Sequence, residues 1–307
     1  MKTEPDVRAS RRAHGTDPGR SLLIVVSALC VVGLVMVLSA SSVDGMRNYG
    51  SSYFFFFRQL MAVVLGGVSM FVIARVDYHF WRKLALPAVV GVVFLLCCVL
   101  VPGLGQTVYG ARRWLGAGPL QFQPSELAKL ALILFSADLL ARHPPSREGP
   151  APLYVIGGAT AVVLALVMKQ PDMGTSLIIV GSVLAVCILG GIPWNYLFTG
   201  LAGIGALGTL VAIFEPYRRE RIMSFTDPFK SASGSGYQVV QSLVGLGSGG
   251  VRGVGLGASR AKWGFLPNAH TDFIFAIIGE ELGLFGGLGV IGLFVALAVY
   301  GMRAAAR

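Results

Sequence analysis

The sequence predicts an all-α polytopic membrane bundle with a long extracytoplasmic loop. Three observations predict it. Of 307 residues, 54% are hydrophobic and only 13% are charged, against the ~25% charged of an average soluble domain. Apolar runs of membrane-spanning length recur along the chain. The 25 Lys and Arg outnumber the 15 Asp and Glu, for a formal net charge of +10, and they cluster between those runs. The same composition excludes a disordered chain, which would be polar and charged.

The elements follow in order. Residues 1–20 form a polar, basic tail. The run 21–41 is too long for a signal-peptide core and shows no cleavage pattern, so it reads as a retained first helix. The runs 59–73 with its flanks, 84–104, 126–141, 153–168, 175–190, 196–214 and 272–302 bring the expected spans to eight. In the last, Gly283, Gly286, Gly287, Gly289 and Gly292 allow close packing or a kink. Between the last two spans lies a long segment, 215–271, in a chain whose other connections are short. It carries a Gly/Ser stretch at 231–236 and a second glycine-rich stretch at 245–257. Its apolar run at 239–246 is too short to span and reads as interfacial or re-entrant. The domain organisation is thus a cytoplasmic tail, 1–20, and one transmembrane domain, 21–307.

Orientation comes from the positive charges. With the N-terminus in the cytoplasm, the tail, Arg75, Arg82, Lys83, Arg142, Arg147 and Arg303 lie inside, as the positive-inside rule expects. About half of the positive charge is then left outside. Arg47, Arg58, Arg112, Arg113, Lys129 and Lys169 lie in or beside short outer connections, and the rest lies in 215–271. Long segments determine topology weakly, so these outer charges call for another explanation.

Ionisable groups in or beside spans are costly and point to function. Three polar knots on the expected outer side hold most of them. The first runs from Arg112 and Arg113 to Gln123-Pro124-Ser125-Glu126 and Lys129. Ser125 reads as a helix N-cap, and Glu126 and Lys129 share a helix face at i,i+3 and are expected to pair. The second is the turn from Lys169 to Thr175, where Asp172 reads as an N-cap or as a polar cavity group. The third runs from Leu266 to Ala276 and includes His270, Thr271 and Asp272. Asp272 reads as an N-cap in competition with Thr271, or as a catalytic carboxylate. Glu280 and Glu281 follow on the same span, ~12 Å further along at 1.5 Å per residue. Capping alone does not account for three acids in one span. Arg218, Arg219, Arg221 and Lys262 add positive charge to the same side.

The four cysteines, Cys30, Cys97, Cys98 and Cys187, fall in apolar runs and read as buried small hydrophobes. His14, His79, His143 and His270 are scattered, and no metal-ligand spacing appears. Guanidinium and ammonium groups facing an outer cavity predict an anionic ligand, since Arg grips phosphate oxygens bidentately. An apolar helical wall predicts a lipid tail. Together they predict a lipid phosphate or pyrophosphate handled at the outer leaflet, by transfer or by transport. A carboxylate at the mouth of such a cavity suits a general base, because neighbouring cations favour its ionised form.

The stretches GARRWLGAGPLQFQPSELAKL (110–130), KQPDMGTS (169–176), YRRERIMSFTDPF (217–229), GSGYQVVQS (234–242) and LPNAHTDFIFAIIGEELG (266–283) closely resemble the SEDS family. These are the shape, elongation, division and sporulation proteins, integral-membrane peptidoglycan glycosyltransferases. Gly236–Gln238, 255–259 and AIIGEELG resemble the division branch more than the elongation branch. The resemblance implies polymerisation of lipid II in the bacterial inner membrane at the septum, with release of undecaprenyl pyrophosphate. It implies Asp272 as the catalytic residue that deprotonates the acceptor hydroxyl. Glu126 and Lys129 are expected to line the central cavity. Arg112, Arg113, Arg218 and Arg221 are expected to neutralise the pyrophosphate, with Asp172, Lys262 and His270 as further substrate-binding positions. A divalent cation, Mg or Mn, would share that role, although no ligand cluster identifies one. A class B penicillin-binding protein transpeptidase, other divisome proteins and membrane lipids are the expected partners, and nucleic acid is not.

Two departures stand out. Asn268 occupies a position where many relatives carry glutamate. The family has ten spans, and eight are counted here, so the chain is expected to end short of the family's last spans. Two other functions fit the same residues: a lipid II flippase, and a non-enzymatic divisome scaffold.

Overall fold

The computed structural model describes residues 17–108, 111–116, 121–144, 149–214, 229, 234 and 236–306. As expected, the protein is all-α and polytopic. Among the described residues, five helices are long and apolar enough to cross a membrane. The chain folds as two compact units, one built from Met1–Phe71 with Glu215–Arg307 and the other from Val72–Phe214.

The first unit contains α1 (Pro18–Tyr49), α2 (Phe54–Ile73), α8 (Tyr237–Gly249) and α9 (Ile274–Ala305). Pro at the start of α1 has its φ preset for a helix. Gly50 ends α1 in the left-handed conformation, φ 69°, as a C′ glycine does. Met36 and Ala40 of α1 pack with Leu266, Ala269, Ala276 and Ile277 to form this unit's core. No residue of α2 is buried, as suits a helix whose Phe57, Leu65 and Phe71 face lipid.

α9 bends at Gly283, whose φ of 69° and ψ of −163° are non-helical. The bend leaves helix groups unpaired, and the glycine-rich segment after α8 takes them up. Val254 and Gly255 donate N–H to the carbonyls of Glu280 and Glu281, and Leu284 donates to Gly250. Glycine is required on both sides: a Cβ on Gly283 would overlap the Gly253 nitrogen, and one on Gly249 would overlap the Gly279 carbonyl. The run 239–246, expected at the interface or as a re-entrant segment, forms most of α8, which lies against α9 through Gly245 and Gly249.

The second unit contains α3 (Tyr78–Leu100), α4 (Pro124–Arg142), α5 (Ala151–Lys169), α6 (Met173–Leu189) and α7 (Trp194–Phe214). Its core joins Leu96 of α3, Leu132 of α4, Ile156 and Val163 of α5 and Ile179 of α6. Asp138 of α4 accepts hydrogen bonds from Arg82, at the start of α3, and Arg142, at the end of α4. Those two arginines therefore lie at one end of the unit. One feature was not expected from an all-α pattern. Between α3 and α4 the chain makes an antiparallel hairpin, β1 (Gln106–Val108) with β2 (Ala111–Trp114).

Candidate active site

The expected site residues fall into both units, and each group is built by its own unit. In the second unit the hairpin decides how the two arginines point. Thr107 pairs with Arg112 and Gln106 with Trp114, so the register slips by one residue and Arg113 has no partner opposite. Such bulges re-aim side chains. Arg112 stays exposed on the strand. Arg113 turns onto the α5–α6 connection, where Nε donates to the Gln170 carbonyl at 3.0 Å and Nη2 donates to the Pro171 carbonyl. Its Nη1 stands 4.0 Å from Asp172.

Asp172 is buried and caps α6. Its carboxylate accepts from the Thr175 N–H at 3.2 Å, from Thr175 Oγ1 at 2.8 Å and from Gln123 Nε2 at 2.8 Å. The capping expectation for this residue is met. The Ser125 expectation is corrected: Gln123 holds the N-cap position of α4 and Pro124 opens the helix. Proline suits the first helical position because that N–H would lack a partner in any case, so the helix starts two residues earlier than expected, at Pro124. Ser125 is then inside α4, with its hydroxyl buried and unpartnered among the described residues. Glu126 and Lys129 pair at 2.6 Å, as their spacing required.

In the first unit the last polar knot is a series of turns between α8 and α9. Asp272 sits on these turns with an exposed side chain. It does not cap α9: Phe273 holds that position, and no side chain caps the helix. Thr271 does not cap it either, because its hydroxyl donates to the Asn268 carbonyl at 3.2 Å. Asn268 has a left-handed φ of 55°, a conformation that Asn tolerates better than most side chains. Among the described residues the Asp272 carboxylate has no hydrogen-bond or ion-pair partner, so it is free to act on a ligand. Two residues earlier, His270 packs at a tilt against Phe55 of α2, ring centroids 4.5 Å apart, and its Nδ1 lies 3.5 Å from Asp44 of α1.

Lys262 is 5% exposed, and its amine is held by the Gly257 carbonyl at 2.6 Å and by Glu281 at 3.4 Å. A cavity of about 420 Å³ opens beside it, walled by Val35, Leu38 and Ser39 of α1 with Tyr53 and Leu256. Glu280 and Glu281 are fully engaged. Glu280 accepts from Ser259 Oγ and from the N–H groups of Arg260 and Ala261. Glu281 accepts from Ser39 Oγ, at 2.7 Å to both oxygens, and from the Ser259 N–H.

Arg218 and Arg221 lie outside the described residues. No group of three or more His, Cys, Asp or Glu among the described residues stands close enough to hold a metal ion. The donors among the described residues therefore do not make a dedicated divalent site. Sequence reasoning missed Asp44, Ser39 and Ser259. Asp44 carried a usable signal, a carboxylate at the end of the first apolar run. The two serines carried none, because isolated hydroxyls are common in helices.

The helical architecture defines an integral-membrane protein that carries, among the described residues, an unpartnered carboxylate and separate clusters of fixed charge. The chain belongs to the FtsW/RodA/SpoVE family, described as cell cycle proteins, whose profile matches residues 20–307. It is 39% identical to the "Probable peptidoglycan glycosyltransferase FtsW" of Legionella pneumophila, over 92% of this chain and 72% of that protein. It is 40% identical to stage V sporulation protein E of Bacillus subtilis, over 94% of this chain and 80% of that one. Among solved structures it resembles a chain of a peptidoglycan synthase complex that coordinates polymerization and crosslinking. There the TM-score is 0.69 at 30% identity, covering 90% of this chain and 74% of the other. It also resembles the Thermus thermophilus rod shape determining protein RodA, with a TM-score of 0.61 at 29% identity, covering 90% and 71%.

Proposed function

We propose that this chain is an inverting peptidoglycan glycosyltransferase that polymerises lipid II in the inner membrane during septal wall synthesis. The observation that carries the reading is Asp272: an acidic side chain within the matched family region, exposed, and free of the capping role its position suggests. Its carboxylate takes the proton of the acceptor sugar's C4 hydroxyl. That oxygen forms a bond to the donor's anomeric carbon from the face opposite the leaving group. The bond from the anomeric carbon to the pyrophosphate oxygen breaks, and undecaprenyl pyrophosphate departs with the electron pair. Arg112, Arg218 and Arg221 supply positive charge for the pyrophosphate, since guanidinium groups pair with phosphate oxygens. Arg113 fixes the α5–α6 connection through Gln170 and Pro171, Asp172 caps α6, and Glu126 pairs with Lys129, each kept as a substrate-binding position within its own unit. His270 and Lys262 are further such positions on the segment that leads to Asp272.

All eight expected helices span the membrane in this reading, including the shorter α6 and the more polar α4. The partner is a crosslinking transpeptidase of the class B penicillin-binding type, a reading supported by the resemblance to a chain of a synthase complex.

The test is glycan synthesis from purified lipid II by the reconstituted chain. Asp272→Asn is expected to lower the rate by at least about 100-fold, the usual contribution of a general base. Undiminished polymer from this variant removes Asp272 from the base role. Its melting temperature is expected to match the wild type, because the carboxylate holds no other group in place.

A further inference from the structure

Asp272 is free, yet its position is tightly framed. We infer that Glu281 is a positioning residue for Asp272, acting through Ser39, Ser259 and Lys262; this rests on the reading of Asp272 as the general base.

The argument starts from where Glu281 lies. It is 1% exposed, in the middle of an apolar span and just before the Gly283 bend. Burying a carboxylate there is costly unless every oxygen is engaged, and every contact it makes goes to a different part of the frame. Ser39 donates to both of its oxygens from α1, and Ser259 N–H and Lys262 Nζ reach it from the chain leading to Asp272. Lys262 in turn holds the Gly257 carbonyl. From this knot the chain is continuous and bonded: Leu266 N–H donates to the Ala261 carbonyl, and Thr271 N–H donates to that of Asn268.

α1 meets the same chain again through apolar packing, where Met36 and Ala40 share a core with Leu266 and Ala269. Asp44, five residues beyond Ser39 and ~7.5 Å along the helix, lies 3.5 Å from His270 Nδ1 without a hydrogen bond. Asp272 is therefore carried on a segment that α1 meets both at the Glu281 knot and beyond it. Loss of the Glu281 anchor releases the upstream end of that segment, and the position of Asp272 with it. Near-attack geometry is sensitive to displacements of about 1 Å, which can cost ~100-fold in rate.

The experiment uses the full chain in proteoliposomes with lipid II as substrate. Glu281→Gln is expected to lower kcat at least tenfold, leaving the KM for lipid II within twofold. It is also expected to speed amide hydrogen exchange across residues 264–273 without changing exchange in α4. Lys262→Met added to Glu281→Gln removes the amine left buried and is expected to restore part of the kcat. Ser39→Ala keeps the ion pair and the fold, and is expected to lower kcat about threefold with KM unchanged. It decides the matter if Glu281→Gln does not fold. Wild-type kcat in either variant, or unchanged exchange in 264–273, overturns the inference. A rise in KM alone does so too, since it would mean that Glu281 serves substrate binding. If the wild type makes no polymer, or Asp272→Asn remains active, the reading of Asp272 itself falls. If those controls behave and the Glu281 and Ser39 variants keep full kcat, only the positioning role falls.

Discussion

The two units use carboxylates in opposite ways. In the unit formed by Val72–Phe214, the described acids begin helices or are paired with basic side chains: Asp77 caps α3, Asp172 caps α6, Glu126 pairs with Lys129, and Asp138 pairs with Arg82 and Arg142. In the other unit, Glu280 and Glu281 lie mid-helix beside a bend, and Asp272 caps nothing. Helix-start acids satisfy exposed N–H groups and need no further explanation. Acids that do not serve a helix start are held by something else or are free for chemistry. The difference separates scaffold from site more sharply than residue type or membrane depth does.

That contrast is broken or sharpened by substitution, and the largest structural effect is expected at the bend. Gly283→Ala places a Cβ in overlap with the Gly253 nitrogen and 2.6 Å from the Val251 carbonyl oxygen. Backbone atoms cannot turn aside as a side chain can. The conformation itself is one that glycine almost alone adopts. A loss of at least about 3 kcal/mol is expected, read as a lowered melting temperature or failure to recover folded protein. A variant as stable as wild type would show that the bend does not frame this unit.

Asp172→Ala comes next. It leaves the Thr175 N–H, Thr175 hydroxyl and Gln123 amide without their buried acceptor. Loss of a cap costs up to ~2 kcal/mol, and stranded buried donors add to it. A drop of about 2 kcal/mol in stability is expected, measured by thermal unfolding in detergent. Residual polymerase activity per folded molecule should persist. A rate loss as deep as that of Asp272→Asn with unchanged stability would place Asp172 among the reacting groups and erase the contrast.

Asn268 offers a smaller test on the Asp272 side. Its left-handed φ of 55° penalises other side chains by about 1 kcal/mol or a little more. Asn268→Val is expected to cost that much, whereas Asn268→Gly is expected to be tolerated. Equal melting temperatures for the two would show that the turn relaxes.

These contrasts also explain what the sequence could reveal. The spans were legible because lipid-facing helices are apolar on nearly every face, so length and composition suffice. α2, with no buried residue, is the clearest case. The Glu126–Lys129 pair and the Asp172 cap were legible because both depend on neighbours within four residues. The Gly283 bend was half legible: the glycines marked the region, but the choice among five rested on Val251 and Gly253, distant in sequence. The hairpin was hidden because two arginines flanked by glycine look like a loop, and the bulge that separates Arg112 from Arg113 arises only from strand pairing. Ser125 misled because proline's claim on the first helical position outweighed serine's on the cap. The Glu281 knot was invisible, since Ser39 lies 242 positions away.

The smallest effect sits at the exposed end of the capping series. Asp77 accepts from the His79 N–H at 2.7 Å and meets the His79 ring at 2.6 Å. The backbone bond first, and the ring second, lower its pKa below the ordinary 3.8. A lowered folded pKa means that folding favours the ionised carboxylate. Its contribution is therefore complete above the ordinary value and is lost as pH falls through the lower, folded one. Asn in the same position caps without titrating. The melting-temperature gap between wild type and Asp77→Asn should accordingly shift against the wild type as pH falls below 3.8. Because the group is fully exposed, the shift should also shrink in high salt. A gap that is flat across the whole range would mean that the carboxylate is no better a cap than an amide. The series would then rest on burial, as at Asp172, and not on charge.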